Sequence, residues 1–224
     1  LPVTKVTLHT TFLGGGFGRR AQQDFLVDAV HTSKAVGKPV KVIYTREDDM
    51  HAGWYRPTAY NKMSGALDAE GWPLAWSHKI ASPSILSNFG PLQGNGIDAM
   101  SIEGAANLPY HIPNISVTCA KADLPVSVWF WRSVGSSINA YVTECFLDEL
   151  ALLGGKDPVD VRRRLLTDHP RHLRVLNLVA VQSGWGNPLP DGRARGVAVH
   201  ESFGSIVAEV AEVSLRPDGT LPAV

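Results

Sequence analysis

The chain is poor in cysteine. Cys119 and Cys145 are its only two, and they form no CxxC pair or other metal-ligand spacing. The pattern fits a reducing compartment without requiring one. Cys145 lies in an apolar helical stretch, where a buried and inert thiol is expected. No charge of either sign is in excess: 21 Lys and Arg balance 21 Asp and Glu. Nothing in that balance suggests electrostatic capture of nucleic acid or of an anionic membrane. No run approaches the roughly 18 apolar residues of a membrane helix. There is no internal repeat and no low-complexity tract. An initiator Met is missing, and Leu1-Pro2-Val3 runs straight into a strand-like pattern. A piece of a longer protein is therefore expected. Its compartment, cytoplasm or periplasm, stays undecided.

What is present is an ordinary globular composition, 44% hydrophobic and 19% charged over 224 residues, enough to bury a core. Alternation predicts a strand over Val3 to Phe12 and a buried strand over Val40 to Thr45. Helical spacing of Phe25, Leu26, Ala29, Val30 and Val36 predicts a helix from Ala21 to Val36, ended by Gly37. Tyr60 to Asp68 and Pro73 to Ala81 read as a hairpin, and Ile115 to Ala122 as a strand. Residues 82 to 113 are irregular, and so long a loop is usually functional or mobile. Ser136 to Leu153 is the longest helix, apolar almost all round and expected to be central. Asp157-Pro158 caps a short helix to Leu166. Its Arg162-Arg163-Arg164 run reads as a solvated face. A helix over His172 to Ser183, paired strands over Gly196 to His200 and Ile206 to Leu215, and a turn at Arg216 to Gly219 follow. Helices and strands mix without a βαβ repeat, so the class is α+β.

Two segments carry the chemistry. Gly14-Gly15-Gly16-Phe17-Gly18 puts four glycines in five residues between a strand and a helix. Without Cβ atoms its amides can approach a ligand closely. The helix expected near Ala21 adds a positive dipole end for an anion. The loop is neither a Rossmann nor a P-loop core. The last glycine of a GxGxxG fingerprint would fall at Arg19, and no Gly-Lys-Ser/Thr follows. Taken alone, such a loop is more often a tight structural turn. The second segment, Trp129-Phe130-Trp131-Arg132-Ser133-Val134-Gly135-Ser136, ends an aromatic strand at a helix N-terminus. Amides around Ser133 to Ser137 make a second anion-friendly site. Arg132 can fork to an oxo or phosphate group, or simply stack on Trp129 or Trp131.

The string Gly-Gly-Gly-Phe-Gly resembles the glycine loop of the xanthine oxidase family of molybdenum hydroxylases. Arg19-Arg20 after it is similar to the isoquinoline 1-oxidoreductase branch. So is the segment from Gly192 to Ser205, while Arg132-Ser-Val-Gly, the Glu144-Cys145 pair and Asp157-Pro158-Val159-Asp160-Val161-Arg162-Arg163 resemble molybdenum hydroxylases at large. The resemblance covers nearly the whole chain. Its motifs are specific in combination and weak singly. It implies a molybdenum cofactor-binding part over residues 1–166, with residues 167–224 beginning the next part of the subunit. It also implies a molybdopterin cofactor carrying molybdenum, in bacteria usually the cytosine dinucleotide, with no protein side chain as metal ligand. Gly15, Gly16, Phe17 and Gly18, with Arg132, Ser133, Val134 and Gly135, are then the cofactor-binding residues. Ser133 stands where a carbon monoxide dehydrogenase has its copper-holding Cys, so no copper is expected. Val134 replaces the usual aromatic.

The implied reaction is hydroxylation of N-heteroaromatics or aldehydes with water as oxygen source and a glutamate as base. Electrons leave through iron–sulfur clusters on a small [2Fe-2S] partner subunit, and the rest of the large subunit is a further partner. The family's glutamate lies in a Gly-Glu-Pro-type motif that this chain lacks, so the catalytic residue is unassigned and the chain alone is expected to be inactive. Glu103 precedes Gly104 but has no Pro after it. His200 is a candidate for the substrate cavity, although a lone strand His is more often structural. The competing readings are a non-catalytic assembly module with a structural glycine loop, and an unrelated anion- or nucleotide-binding domain.

Overall fold

A computed structural model describes residues 2–214, 216 and 218–220. Leu215 of the last expected strand and Pro217 of the expected turn lie outside the described residues. The chain divides into two compact units, residues 1–56 with 125–132, and residues 57–124 with 133–224.

The first unit holds α1 (Asp24–Val36) and α2 (Arg46–Ala52). The expected strand over Val3 to Phe12 is instead a 3-10 turn at Val3–Lys5 followed by irregular chain, and Val40 to Thr45 joins no ladder among the described residues. The alternation is real, but a strand needs a partner for its amides, and the described residues supply none there. Helix α1 begins three residues later than its apolar spacing suggests, because Arg19–Ala21 forms a separate 3-10 turn. Helix α2 was not expected. It is built on a capping box: the Thr45 hydroxyl accepts from the Asp48 amide while the Asp48 carboxylate accepts from the Thr45 amide.

The second unit contains a three-stranded mixed sheet, a two-stranded ribbon and four helices among its described residues. Strands β1 (Tyr60–Leu67) and β2 (Pro73–Ser82) form the expected antiparallel hairpin, and β3 (Asn114–Lys121) lies parallel to β2. The β2-to-β3 crossover is the irregular stretch, which contains a 3-10 turn at Leu86–Phe89 and the single turn α3 (Ala99–Ile102). Strands β4 (Arg193–Ser202) and β5 (Ser205–Ser214) pair antiparallel through a two-residue turn. Its central Phe203 and Gly204 both have positive φ, as a hairpin turn of matching twist requires.

Helices α4 (Ser136–Leu153), α5 (Pro158–Leu165) and α6 (Pro170–Gln182) pack around one core with β2, β4 and residues 110–112. Leu147, Val159, Leu166, Leu176 and Trp76 are fully buried there. Asp157 caps α5 as expected, its Oδ1 accepting from the Val159 and Asp160 amides. Two expectations fail. Helix α4 is central, but it buries one face only, through Asn139, Thr143, Glu144, Leu147 and Leu150. Cys145 falls on the opposite stripe with Tyr141 and Glu149, four residues to either side, and is exposed rather than buried. Arg162 is not on a solvated face. It is fully buried, because α5 turns it onto Glu144 and Asp148 of α4.

Candidate cofactor site

In the first unit the glycine loop has positive φ at Gly15, Phe17 and Gly18. A Cβ on Gly18 would stand 2.7 Å from the carbonyl carbon and oxygen of Phe130 and 2.9 Å from the amide nitrogen of Trp131. No side chain fits there, so the loop and the aromatic segment meet backbone against backbone. At Gly16 a Cβ would be 3.3 Å from the Leu13 side chain, and at Gly14 it would meet nothing. Phe17 is exposed. The Arg132 side chain is exposed as well, and its carbonyl accepts from Arg56 Nη1 at 2.8 Å. Trp129 stacks edge-on with Trp54 and with Phe130.

One sequence expectation is corrected here. Helix α1 begins at Asp24, beyond the 3-10 turn Arg19–Ala21 that follows the glycine loop. Its first turn carries Asp24, whose carboxylate binds Arg19 at 2.8 and 3.0 Å. The carboxylate answers the helix dipole. Although burial opposes ionisation, the Arg19 partner holds the Asp24 carboxyl below its ordinary range.

In the second unit Ser133 and Val134 both have positive φ, 65° and 41°. For a β-branched residue that is an outlier, of the kind that persists where the surroundings over-determine it. Gly135 is the N-cap of α4 and no side chain caps the helix there. A Cβ on Gly135 would stand 2.1 Å from the Met100 carbonyl oxygen and 3.1 Å from Glu103 Cβ. The turn after α3 therefore backs the loop directly. Asn139 Nδ2 ties that turn down by donating to the Ser101 and Glu103 carbonyls at 3.0 and 2.8 Å. A cavity of about 10 Å³, lined in part by Ser82, Met100, Val134 and Asn139, adjoins them.

His200 lies in this second unit. A Cβ on Gly104 would be 2.9 Å from its Cε1 and 3.4 Å from Ser136 Cα. Burial lowers the imidazole pKa, against the opposing pull of Glu103 and Glu201. Its strand neighbour Glu201 points elsewhere, to His172 Nε2 at 3.2 Å, as alternation along a strand demands. Glu103, set aside in the sequence for want of a following Pro, thus belongs to the same neighbourhood as Gly135 and His200. Its one sequence signal is the long irregular crossover that carries it. The larger concavities, about 550 Å³ on the β1–β3 sheet and about 880 Å³ beside α1, contain none of the candidate residues.

Both loops present backbone rather than reactive side chains, and both contain strained positions. Each loop has positive-φ positions within an α+β arrangement of helices and strands. Comparison with known proteins names the family. Residues 1–166 match the model of the molybdopterin cofactor-binding domain, so the chain belongs to that family. The isoquinoline 1-oxidoreductase subunit beta of Brevundimonas diminuta is 32% identical over 231 residues, covering 97% of this chain. The chain spans 29% of that relative's length. Quinoline 2-oxidoreductase from Pseudomonas putida 86 superposes with a TM-score of 0.63 at 19% identity, over 84% of this chain and 27% of its own. The aldehyde oxidoreductase of Desulfovibrio gigas gives 0.64 at 19%, over 84% and 22%. At that identity the structures share the fold. The cofactor class is molybdopterin with its molybdenum, and the residues present fit it. A bulky anionic group needs close-approaching amides. Gly14 and Gly15 are exposed, and the head of α4 carries no side-chain cap.

Proposed function

We propose that this chain is the cofactor-cradling portion of a molybdenum hydroxylase subunit of the isoquinoline 1-oxidoreductase type. In this reading the amides of Gly15, Gly16, Phe17 and Gly18 and those of Ser133, Val134 and Gly135 each donate to the cofactor. Arg132 offers its guanidinium to an oxo or phosphate oxygen. The cofactor is the cytosine dinucleotide form. When bound, it supplies the redox chemistry that hydroxylates an N-heteroaromatic or aldehyde carbon with water as oxygen source. Electrons pass to iron–sulfur clusters on a small partner subunit. The chain's own part is to bind, orient and keep water from the cofactor.

The catalytic base lies outside this chain in the same reading. Glu144 is committed to Arg162, Glu201 to His172, and Glu212 to Arg193 and Arg195. Turnover of an aldehyde or heteroaromatic by this chain alone would sink that part of the proposal. The observation that carries the reading is the Gly18 contact, where any side chain would strike the Phe130–Trp131 peptide. The test is molybdenum per chain in the natural full-length product, made with its small partner in cells that synthesise the pterin cofactor. Near-stoichiometric metal is expected, lost in Gly18→Val. A folded protein without metal would favour an assembly module with a structural loop.

A further inference from the structure

Asn139 lies one turn inside α4 and is 1% exposed. Its Nδ2 spends both hydrogens on one target, donating to the Ser101 carbonyl at 3.0 Å and to the Glu103 carbonyl at 2.8 Å. Two carbonyls on one side fix the orientation of the amide, since only its nitrogen can donate to them. Its Oδ1 is buried without a partner among the described residues. A buried polar atom left unpaired is costly, so the residue is held here for its donors and in spite of its acceptor. The short turn it grips is also gripped at its other end, by the α3 N-cap Asp98. Asp98 is buried, and its Oδ1 accepts from the Met100 amide at 2.8 Å. Its Oδ2 accepts from the Ser84 hydroxyl at 2.7 Å and from the Leu86 amide at 2.9 Å.

We propose that Asn139, with Asp98, clamps the segment Asp98–Glu103 against the head of α4, and that this clamp holds the Ser133–Gly135 loop in its cofactor-binding shape. The argument is mechanical. Ser133 and Val134 have positive φ, which persists only where the surroundings resist relaxation. The loop's carbonyls are committed to α4. Ser133 accepts from the Ser137 amide, Val134 from the Ser137 hydroxyl, and Gly135 from the Ile138 and Asn139 amides. Behind Gly135 stands the clamped segment. A Cβ on Gly135 would be 2.1 Å from the Met100 carbonyl oxygen and 3.2 Å from the Glu103 carbonyl oxygen. Asn139 therefore holds both sides of this contact. Its side chain binds the Glu103 carbonyl, and its own amide donates to the Gly135 carbonyl at 2.9 Å. Without those donors the segment can withdraw, and the loop loses what it rests on. Asn139 is a positioning residue. It touches the loop's support and not the cofactor.

This inference rests on the cofactor reading for its functional consequence, but not for the clamp itself. The test uses the full-length product with its partner subunit, as wild type, Asn139→Leu, Asn139→Asp, Asp98→Asn and Thr143→Val. Thr143 is the control. It is fully buried one turn further along α4, and its hydroxyl donates to the Asn139 and Ala140 carbonyls of its own helix. Amide hydrogen exchange is read by mass spectrometry over residues 99–106, 137–140 and 159–166, beside molybdenum per chain and the electron paramagnetic resonance spectrum of the reduced metal. Both Asn139 variants should exchange about tenfold faster over 99–106 and 137–140 and match wild type over 159–166. Molybdenum should fall several-fold, and the metal that remains should give a shifted spectrum, since groups around a metal site tune it. Asp98→Asn should behave alike. Thr143→Val should lower the melting temperature and keep wild-type molybdenum and spectrum. Wild-type exchange over 99–106 in the Asn139 variants, or acceleration spreading to 159–166, would each overturn the clamp. Undiminished molybdenum, an unshifted spectrum, or an equal molybdenum loss in Thr143→Val would each overturn the positioning role. If the Asn139 variants do not fold, Asp98→Asn decides by the same readings. If the wild type itself holds no molybdenum, the cofactor reading falls, while the exchange comparison still decides the clamp.

Discussion

Arg162 shows how much one side chain can carry. Its Nε donates to Glu144 Oε2 at 3.0 Å and its Nη2 to the Glu144 carbonyl at 3.1 Å, while Nη1 reaches Asp148 and the Pro158 carbonyl. Glu144 also accepts from the Tyr110 hydroxyl at 2.7 Å and the Val199 amide at 2.8 Å. Burial alone would lower the guanidinium pKa, but the surrounding carboxylates outweigh it and hold the charge firmly. Two helices, a strand and the crossover loop thus meet on one ion pair. Arg162→Met removes the partner and leaves a carboxylate in the core, a class of change that costs about 3–5 kcal/mol. Urea denaturation should show that loss, and a change under about 1 kcal/mol would mean that the carboxylate finds water instead. His78 supplies a second residue-scale expectation. It is fully buried on β2, with Nε2 2.7 Å from Asn61 Oδ1. Burial pushes its pKa from 6.5 down to about 4. The unfolded chain therefore binds a proton that the folded chain refuses. Stability is complete above pH 6.5 and declines as pH falls toward 4, by on the order of 2–3 kcal/mol from this group. Denaturation midpoints at pH 7.5 and 4.5 measure the decline, and His78→Gln should flatten part of it.

At the scale of elements, close backbone contacts decide more than side chains do. The β1–β2 turn meets the end of α4 at two glycines. A Cβ on Gly154 would stand 2.1 Å from the Gly71 carbonyl oxygen, and one on Gly71, which has φ of 85°, 2.5 Å from that of Gly154. Gly154→Ala should force the hairpin off the helix and cost about 1–3 kcal/mol, read as a lowered melting temperature. What was legible in the sequence divides along the same line. Elements with local signals were readable: the β1–β2 hairpin, the Asp157-Pro158 start of α5, the long α4, the paired β4 and β5. Segments whose structure depends on distant partners were not. Val3 to Phe12 and Val40 to Thr45 carry a strand's alternation without a strand's ladder. Helix α2 was missed although Thr45 and Asp48 spell its capping box, because no apolar stripe accompanies them. The burial of Arg162 was hidden inside a run of like charge, since only tertiary contact separates it from Arg163 and Arg164. At the candidate site the loops themselves were readable by composition. Their support was not. Glu103 is 32 residues before Gly135.

Considered whole, the molecule is stabilised unevenly. Among the described residues of the first unit only Gly53, Val128 and Trp129 are buried, and Val6, Phe12, Val30 and Ile43 are exposed. The second unit holds the core of α4, α5, α6 and β4. Local opening free energy follows buried apolar contact, so hydrogen exchange should not be uniform. In this chain by itself, amides of α1 should exchange at least about a hundredfold faster than those of α4 around Leu147, and proteases should cut first within residues 2–52. Equal protection in the two helices would show that the exposed apolar side chains of the first unit are covered in solution, by self-association for example. A ligand that binds the folded state adds stability in proportion to its occupancy. If the glycine loop holds the molybdenum cofactor in the full-length product, protection should rise in the 14–30 region on cofactor loading and stay at its unloaded value in Gly18→Val. Protection that rises equally in that variant would place the cofactor contact away from the glycine loop.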